Sequence, residues 1–328
     1  MVHRIIRAIG HSPVARPLPL NLRDDAAVFA VDSQNQSVIS SDWFLEGIHF
    51  LPSIHPPDSV GFKALARAAS DLAAMGAAPR FFLMALALPH SRRGAWLNRM
   101  LAGMRRASRR FRLELAGGDT TRYSSLAINI TVIGTVRPGR AISRANARSG
   151  DLLYVSGALG GAQLGLELLR AGTSRASPRA KSLLRPHLYP EPRLALGQWL
   201  ASKKLASAMI DLSDGLSTDL HNLCRASGVG ARVRRAAIPC VNLPPLLRKL
   251  NFDPLRLALH GGDDYELLFT VPHRFAHRIP ARLHGLPLHC IGEITKSKRI
   301  LMLHDDGHTT PLAPSGWDPF KETSGSRR

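Results

Sequence analysis

The order of strand-like and helix-like stretches predicts a globular chain of about two domains that mixes both element types. Three observations predict it. The 328 residues suit two domains at roughly 100–200 residues each. Hydrophobic residues make up 45% of the chain, enough for buried cores. Apolar runs of strand length also alternate with segments of helical apolar spacing along most of the sequence.

The chain is organised around Ile210-Asp211-Leu212-Ser213-Asp214-Gly215-Leu216, an apolar strand that ends in two acids and a glycine. Buried carboxylates need partners, because an unpaired one costs several kcal/mol. Similar acidic turns stand at Asp24-Asp25, Ser40-Ser41-Asp42, Ser70-Asp71, Gly117-Gly118-Asp119 and Gly261-Gly262-Asp263-Asp264. We expect them to converge on one cluster of hard divalent cations and a polyphosphate.

The elements follow in order. Residues 26–31 and 36–41 read as two short strands joined by a polar turn, with Asp42 ending the second. Glu46, Gly47 and His49 follow in a polar turn, and His49 is a candidate ligand contact. Asp58 is placed to cap a helix that runs to about Met75. On it, Lys63, Arg67 and Asp71 fall at i, i+4 and i+8 and form one polar stripe. Asp71 sits among Ala68, Ala69, Ser70, Ala73 and Ala74, so that stretch is closely packed and faces a site. Gly76 and Pro79 end the helix. A buried strand is expected at 80–88. Its apolar run is far shorter than the about 20 residues a bilayer requires. A basic amphipathic helix is expected at 92–110, with Trp96, Leu97, Met100, Leu101 and Met104 turned inward. A strand at 113–116 leads into a turn of Gly117, Gly118 and Asp119, and 126–136 alternates as another strand. The division between domains is expected at 138/139.

In the second half, 152–156 is a strand and a glycine turn leads to a helix ending near Arg170. No GK[ST] or GxGxxG is present, so neither a Walker A loop nor a Rossmann unit is expected. The basic, Ser-rich 173–181 reads as a mobile connection. A helix starts after Pro190 and runs to Trp199. The central motif lies between a strand at 207–212 and a helix at 216–227, on which Asp219 and His221 read as structural. Strands follow near 230–235, 265–271, 288–294 and 299–303.

Composition narrows the classes of function. Cys224, Cys240 and Cys290 are odd in number and lack CxxC spacing. This argues against a disulfide framework or a structural zinc, and fits a reducing cytosol. No secretory segment is expected, since residues 1–10 lack a long apolar stretch. The formal charge of +20 could attract nucleic acid. Its basic residues are scattered, however, without interleaved aromatics, and read as a solvated surface.

Taken together, DDAAV, SSDWFLEGIHF, ASDLAAMGAAP, LAGGDTTR, RANARSGD, IDLSDGLSTDL, GGDDYELLFT and GWDPF resemble the thiamine-monophosphate kinase family. Its superfamily includes aminoimidazole ribonucleotide synthetase, selenophosphate synthetase and the hydrogenase maturation dehydratase. The resemblance implies transfer of the γ-phosphoryl of ATP to thiamine monophosphate. It also implies a two-domain α/β fold, with an N-terminal sheet paired across a homodimer and ATP in a cleft between domains 1–138 and 139–328. By resemblance, Asp25, Ser40, Ser41, Asp42, Asp71, Asp119, Asp211 and Asp214 match magnesium positions. Gly118, Asp119, Arg144 and Ser213 match nucleotide positions, and His49, Asp263 and Trp317 match substrate positions. No general base is assigned, because the acceptor phosphate is already ionised near neutral pH.

The chain departs from the family at Arg23 (usually Gly), Ala68 (Asn), Phe111-Arg112 (Tyr-Gly) and Asp263 (Glu). None of these removes a metal carboxylate, so activity is expected. The sequence admits two alternatives. One is another ATP-dependent enzyme of the superfamily. A selenophosphate synthetase would need a reactive cysteine near the N-terminus, and a hydrogenase maturation protein one at the C-terminus. The other is a non-catalytic, basic nucleic-acid-binding protein, which leaves the repeated carboxylates unexplained.

Overall fold

The structure is a computed structural model that describes residues 27–30, 34–173, 175, 177–244, 247 and 252–320. Two sheets divide the chain. The first contains β1 (Ala27–Ala30), β2 (Gln36–Leu45), β3 (Ala78–Leu88), β4 (Glu114–Arg122) and β5 (Ala127–Val136), in the order β1-β2-β5-β3-β4. Side chains alternate across it. On β5, Ile128, Ile130 and Val132 are fully buried on one face. On β2, Ser40, Asp42 and Phe44 share the covered face, and Ser41 and Trp43 point the other way.

The covered face packs against α1 (Pro57–Ala74), which in turn packs on α2 (Ala95–Phe111). The alanines of α1 give it a narrow profile, so it can be buried on nearly every side. Asp58 does not cap α1. Pro56 holds that position without a side-chain bond, and Asp58 instead accepts from Tyr189 Oη (2.8 Å) and Arg106 (3.3 Å). On α2, Met100 and Met104 are buried as expected, but Leu101 is 38% exposed.

Two differences bear on the site. β2 continues to Leu45 because all ten of its residues pair with β5, so Asp42 lies inside a strand rather than at its end. Gly117, Gly118 and Asp119 belong to β4, an exposed edge strand parallel to β3, and do not form a turn. Close strand contact requires a glycine there: a Cβ on Gly118 would lie 1.9 Å from the Met84 carbonyl oxygen.

The second sheet runs β13-β12-β8-β11-β6-β9-β7. Its strands are β6 (Leu152–Ser156), β7 (Ala208–Asp211), β8 (Gly230–Arg234), β9 (Leu267–Val271), β11 (Leu286–Thr295), β12 (Ile300–Leu303) and β13 (Thr309–Pro311), with short β10 (Arg282–Leu283) paired to β11. The helices are α3 (Gly161–Arg170), α4 (Pro178–Leu188), α5 (Leu194–Lys203), α6 (Leu216–Ser227) and α7 (Pro254–His260). α4 occupies part of the stretch expected to be a mobile connection. Its first turn is capped by Ser177, which accepts from the Ala180 N–H.

The two halves share a core. Ala73 and Ala74 of α1 cluster with Leu196, Leu200 and Ala201 of α5 and with Met209 of β7. This packing brings the polar stripe of α1 to the C-terminal end of β7, where Asp211 stands. Among the described residues no helix is long and apolar enough to cross a membrane.

Candidate active site

A cavity of about 550 Å³ opens between the halves. Asp42 and Asp71 reach it from the first half, Asp211 and Asp214 from the second. Each carboxylate is fixed by local structure. The Ser40 hydroxyl donates to Asp71 across the β2–α1 contact. Asp211 ends the buried strand β7. The N–H groups of Asp214 and Gly215 donate to Asp219 (3.0 and 3.1 Å), which confirms Asp219 as structural.

The turn carrying Asp263 is stitched to the central motif. Asp263 N–H donates to Ser213 O (2.8 Å) and Tyr265 N–H to Leu212 O (2.9 Å). A Cβ on Gly262 would lie 2.7 Å from Ser213 O, so this contact excludes a side chain. Asp263 itself has φ +69°, in the left-handed region that Asp tolerates better than most residues. Asp264 accepts from the N–H groups of Gly160 (2.6 Å) and Ala162 (3.1 Å). The start of α3 is thus occupied by a carboxylate of the chain, in line with the missing Walker signature.

The acids are electrostatically stressed. Burial pushes Asp211 up, and Asp42 adds to this. Burial and the neighbouring Asp211 push Asp214 up to about 6. Burial also acts on Asp263, but Lys63 and Arg67 outweigh it and hold its carboxyl well below the usual range. Lys63 is 1% exposed and donates to Asp263 Oδ2 at 2.8 Å, and Tyr265 Oη donates to Oδ1 at 2.7 Å.

Histidines line the same cavity. The Leu45 N–H donates to His49 Nδ1 at 2.9 Å, so the ring proton sits on Nε2. Burial and Arg67 lower His49 to about 4, so the ring is a neutral donor at pH 7. It stacks on Phe44, with 5.7 Å between centroids. His187 Nδ1 lies 3.2 Å from Lys63 Nζ, and its Nε2 lies 2.9 Å from His55 Nε2. Because Lys63 can only donate, His187 donates to His55, and His55 Nδ1 donates to Leu51 O (3.0 Å).

Of the residues singled out in the sequence, Asp42, His49, Asp71, Asp211, Ser213, Asp214, Asp263 and Trp317 line the cavity. Ser40 supports it through Asp71. The charge of Arg144 acts on Asp211. Ser41 bonds Asn129 (3.1 Å) and Thr131 (2.9 Å) on the opposite face of the first sheet. Gly118 and Asp119 lie on the exposed edge strand. None of Ser41, Gly118, Asp119 and Arg144 lines the cavity. Asp25 lies outside the described residues. Sequence reasoning missed Lys63, His55, His187 and Tyr265 as site neighbours. The polar stripe of α1 was the available signal for Lys63.

Among the described residues no three Asp, Glu, His or Cys side chains form a ready metal cage. The donor set nevertheless suits magnesium, which keeps several waters and usually takes only one or two carboxylates plus substrate phosphates. Buried acids that raise one another's pKa also fit a site completed by cations.

Comparison with known proteins identifies the family. The AIR synthase related protein families match this chain, the N-terminal domain at residues 23–136 and the C-terminal domain at 148–304. The thiamine-monophosphate kinase of Escherichia coli K12 is 39% identical over 305 residues, covering 92% of each chain. That of Bacillus subtilis 168 is 32% identical over 329 residues, covering 98% of each. The solved structure of AaThiL complexed with AMPPCP and TMP superposes with a TM-score of 0.84 at 30% identity, covering 97% of this chain and 96% of the other. With its acidic cavity and full-length likeness, the chain belongs to the thiamine-monophosphate kinase family.

Proposed function

We propose that the chain transfers the γ-phosphoryl group of ATP to the phosphate of thiamine monophosphate, giving thiamine diphosphate and ADP. One observation carries the reading: four aspartates from two halves meet in a cavity that also holds His49, Asp263 and Trp317. Its volume of about 550 Å³ suits small substrates. AaThiL, solved with AMPPCP and TMP, supports the same pair of substrates.

The roles follow from chemistry. Asp42, Asp71, Asp211 and Asp214 would hold magnesium, with Ser40 fixing Asp71. Bound magnesium would offset phosphate charge and align donor with acceptor. Ser213 and Arg144 belong to the nucleotide side in this reading. His49 Nε2–H donates to the substrate, ionised Asp263 accepts from it, and Trp317 packs against its ring. The acceptor phosphate is largely ionised at neutral pH, with a second pKa of about 6. Catalysis therefore needs positioning more than a base.

A homodimer completes the reading. Trp43 (56% exposed), Phe81 and Leu83 leave one face of the first sheet apolar and uncovered. Ser41 lies on that face beside Trp43, and Gly118 and Asp119 lie on its exposed edge strand, so a second copy could bring them to a shared site. We divide the domains at 138/139, between the two sheets. The three free cysteines agree with a reducing cytoplasm. The test is acceptor choice: with ATP and magnesium, thiamine monophosphate should yield diphosphate and free thiamine should yield nothing. Phosphorylation of free thiamine instead would refute it.

A further inference from the structure

Arg67 is a charged group of the cavity that these roles leave unused. It sits on α1 between Lys63 and Asp71 and lines the cavity, with 16% of its side chain exposed. Its guanidinium lies 5.5 Å from the centre of the Phe44 ring, the same ring that stacks on His49. Its Nε is 3.8 Å from the Asp42 carboxylate, beyond hydrogen-bond range, and has no hydrogen-bond partner among the described residues. A buried N–H without an acceptor is destabilising, so Arg67 is held here at a cost, and it is the exposed part of its side chain that lines the cavity.

Lys63 cannot play the same part, because its ammonium is already spent on Asp263 and His187. Arg67 stays charged: burial works against its charge, but the carboxylates of Asp42, Asp263 and Asp71 around it prevail. A planar guanidinium fork matches phosphate oxygens better than an ammonium does. Arg67 acts electrostatically on His49 and Asp263, on the side assigned to the thiamine portion, and on Asp42 and Asp71 of the acidic cluster. A phosphomonoester bridging those two sets would meet the guanidinium.

We propose that Arg67 binds a phosphate oxygen of the acceptor monophosphate, orienting it and offsetting its repulsion from the incoming phosphoryl group. The inference rests on the phosphoryl-transfer reading above. No bond is made or broken at the guanidinium. The arginine supplies a fixed charge that the chain carries whether or not cations are bound.

The test is calorimetric titration at fixed magnesium with thiamine monophosphate and, separately, with unphosphorylated thiamine. Arg67→Gln should weaken monophosphate binding about ten- to a hundredfold, the loss of one charged hydrogen bond. Thiamine binding should be unchanged, and Arg67→Lys should lose less. The KM for ATP should hold. Equal weakening of both ligands would make Arg67 structural and overturn the proposal. A raised KM for ATP with an unchanged preference for monophosphate would place it on the donor phosphate and overturn it too. Diphosphate formation by the unmutated protein is scored separately. Failure there sinks the assigned reaction, and the binding contrast still decides the role of Arg67.

Discussion

Asp214→Asn should stabilise the metal-free protein while weakening its response to magnesium. Burial and Asp211 raise the Asp214 carboxyl to about 6 in the folded chain, against an unfolded value near 3.9. The folded state therefore holds this proton more tightly than the unfolded state. Its contribution to stability falls as pH rises from about 4 to about 6 and stays lost at neutral pH. A shift of about two units corresponds to roughly 3 kcal/mol. Asp214 is only partly buried, so solvent screening reduces this to about 1–2 kcal/mol. Asn removes the charge without changing the backbone bonds to Asp219. In urea unfolding with EDTA at pH 7.5, the variant should be more stable by about that amount. The gain should vanish near pH 4. Added magnesium should stabilise the unmutated protein by mass action and the variant much less. A variant that is less stable in EDTA, or an equal magnesium response in both proteins, would refute the carboxylate cluster as the cation site.

Three other expectations follow. A Cβ on Gly103 would lie 1.8 Å from the Asp58 carbonyl oxygen at the α1–α2 crossing. Gly103→Ala should therefore cost about 2–3 kcal/mol in urea unfolding, and an unchanged midpoint would contradict the packing. Burial and Lys63 lower His55 to about 4, below its unfolded value near 6.5. Stability from this group is full above pH 6.5 and lost as pH falls toward 4, by at most about 1.4 kcal/mol per pH unit. His55→Gln should flatten that part of the pH–stability curve, and a parallel curve would show that His55 does not stay neutral in the fold. Leu83→Arg on the uncovered sheet face should give a folded monomer by sedimentation. A variant that sediments like the parent would remove that face as the dimer contact.

The sequence showed most where chemistry is local. The helix after the central motif runs over residues 216–227 as its apolar spacing predicts, with Leu216, Leu220 and Leu223 buried. Asp219 was legible as structural because it lies one turn into that helix, within reach of the N–H groups that open it. Helix α4 was hidden by its composition, since Pro178, Pro186 and the basic residues masked the inward Leu184 and Leu188. The missed features depend on long-range register. Gly118 and Asp119 look like a turn in isolation, and only pairing with β3 makes them a strand. Lys63 and Asp263 are 200 positions apart, and nothing local in either stretch signals that they meet. Arg67 likewise reads as an ordinary partner for Asp71. The packing of α1 between the two halves is what encloses it among acids.

The most direct test of the central claim follows the transferred group. Purified protein, magnesium and thiamine monophosphate are incubated with ATP labelled at its γ-phosphate, beside an Asp42→Ala variant, and the thiamine phosphates are separated by chromatography. The account predicts label in the terminal phosphate of thiamine diphosphate, formed by the unmutated protein and lost in the variant. Label released only as inorganic phosphate, or diphosphate formed equally by Asp42→Ala, would contradict it.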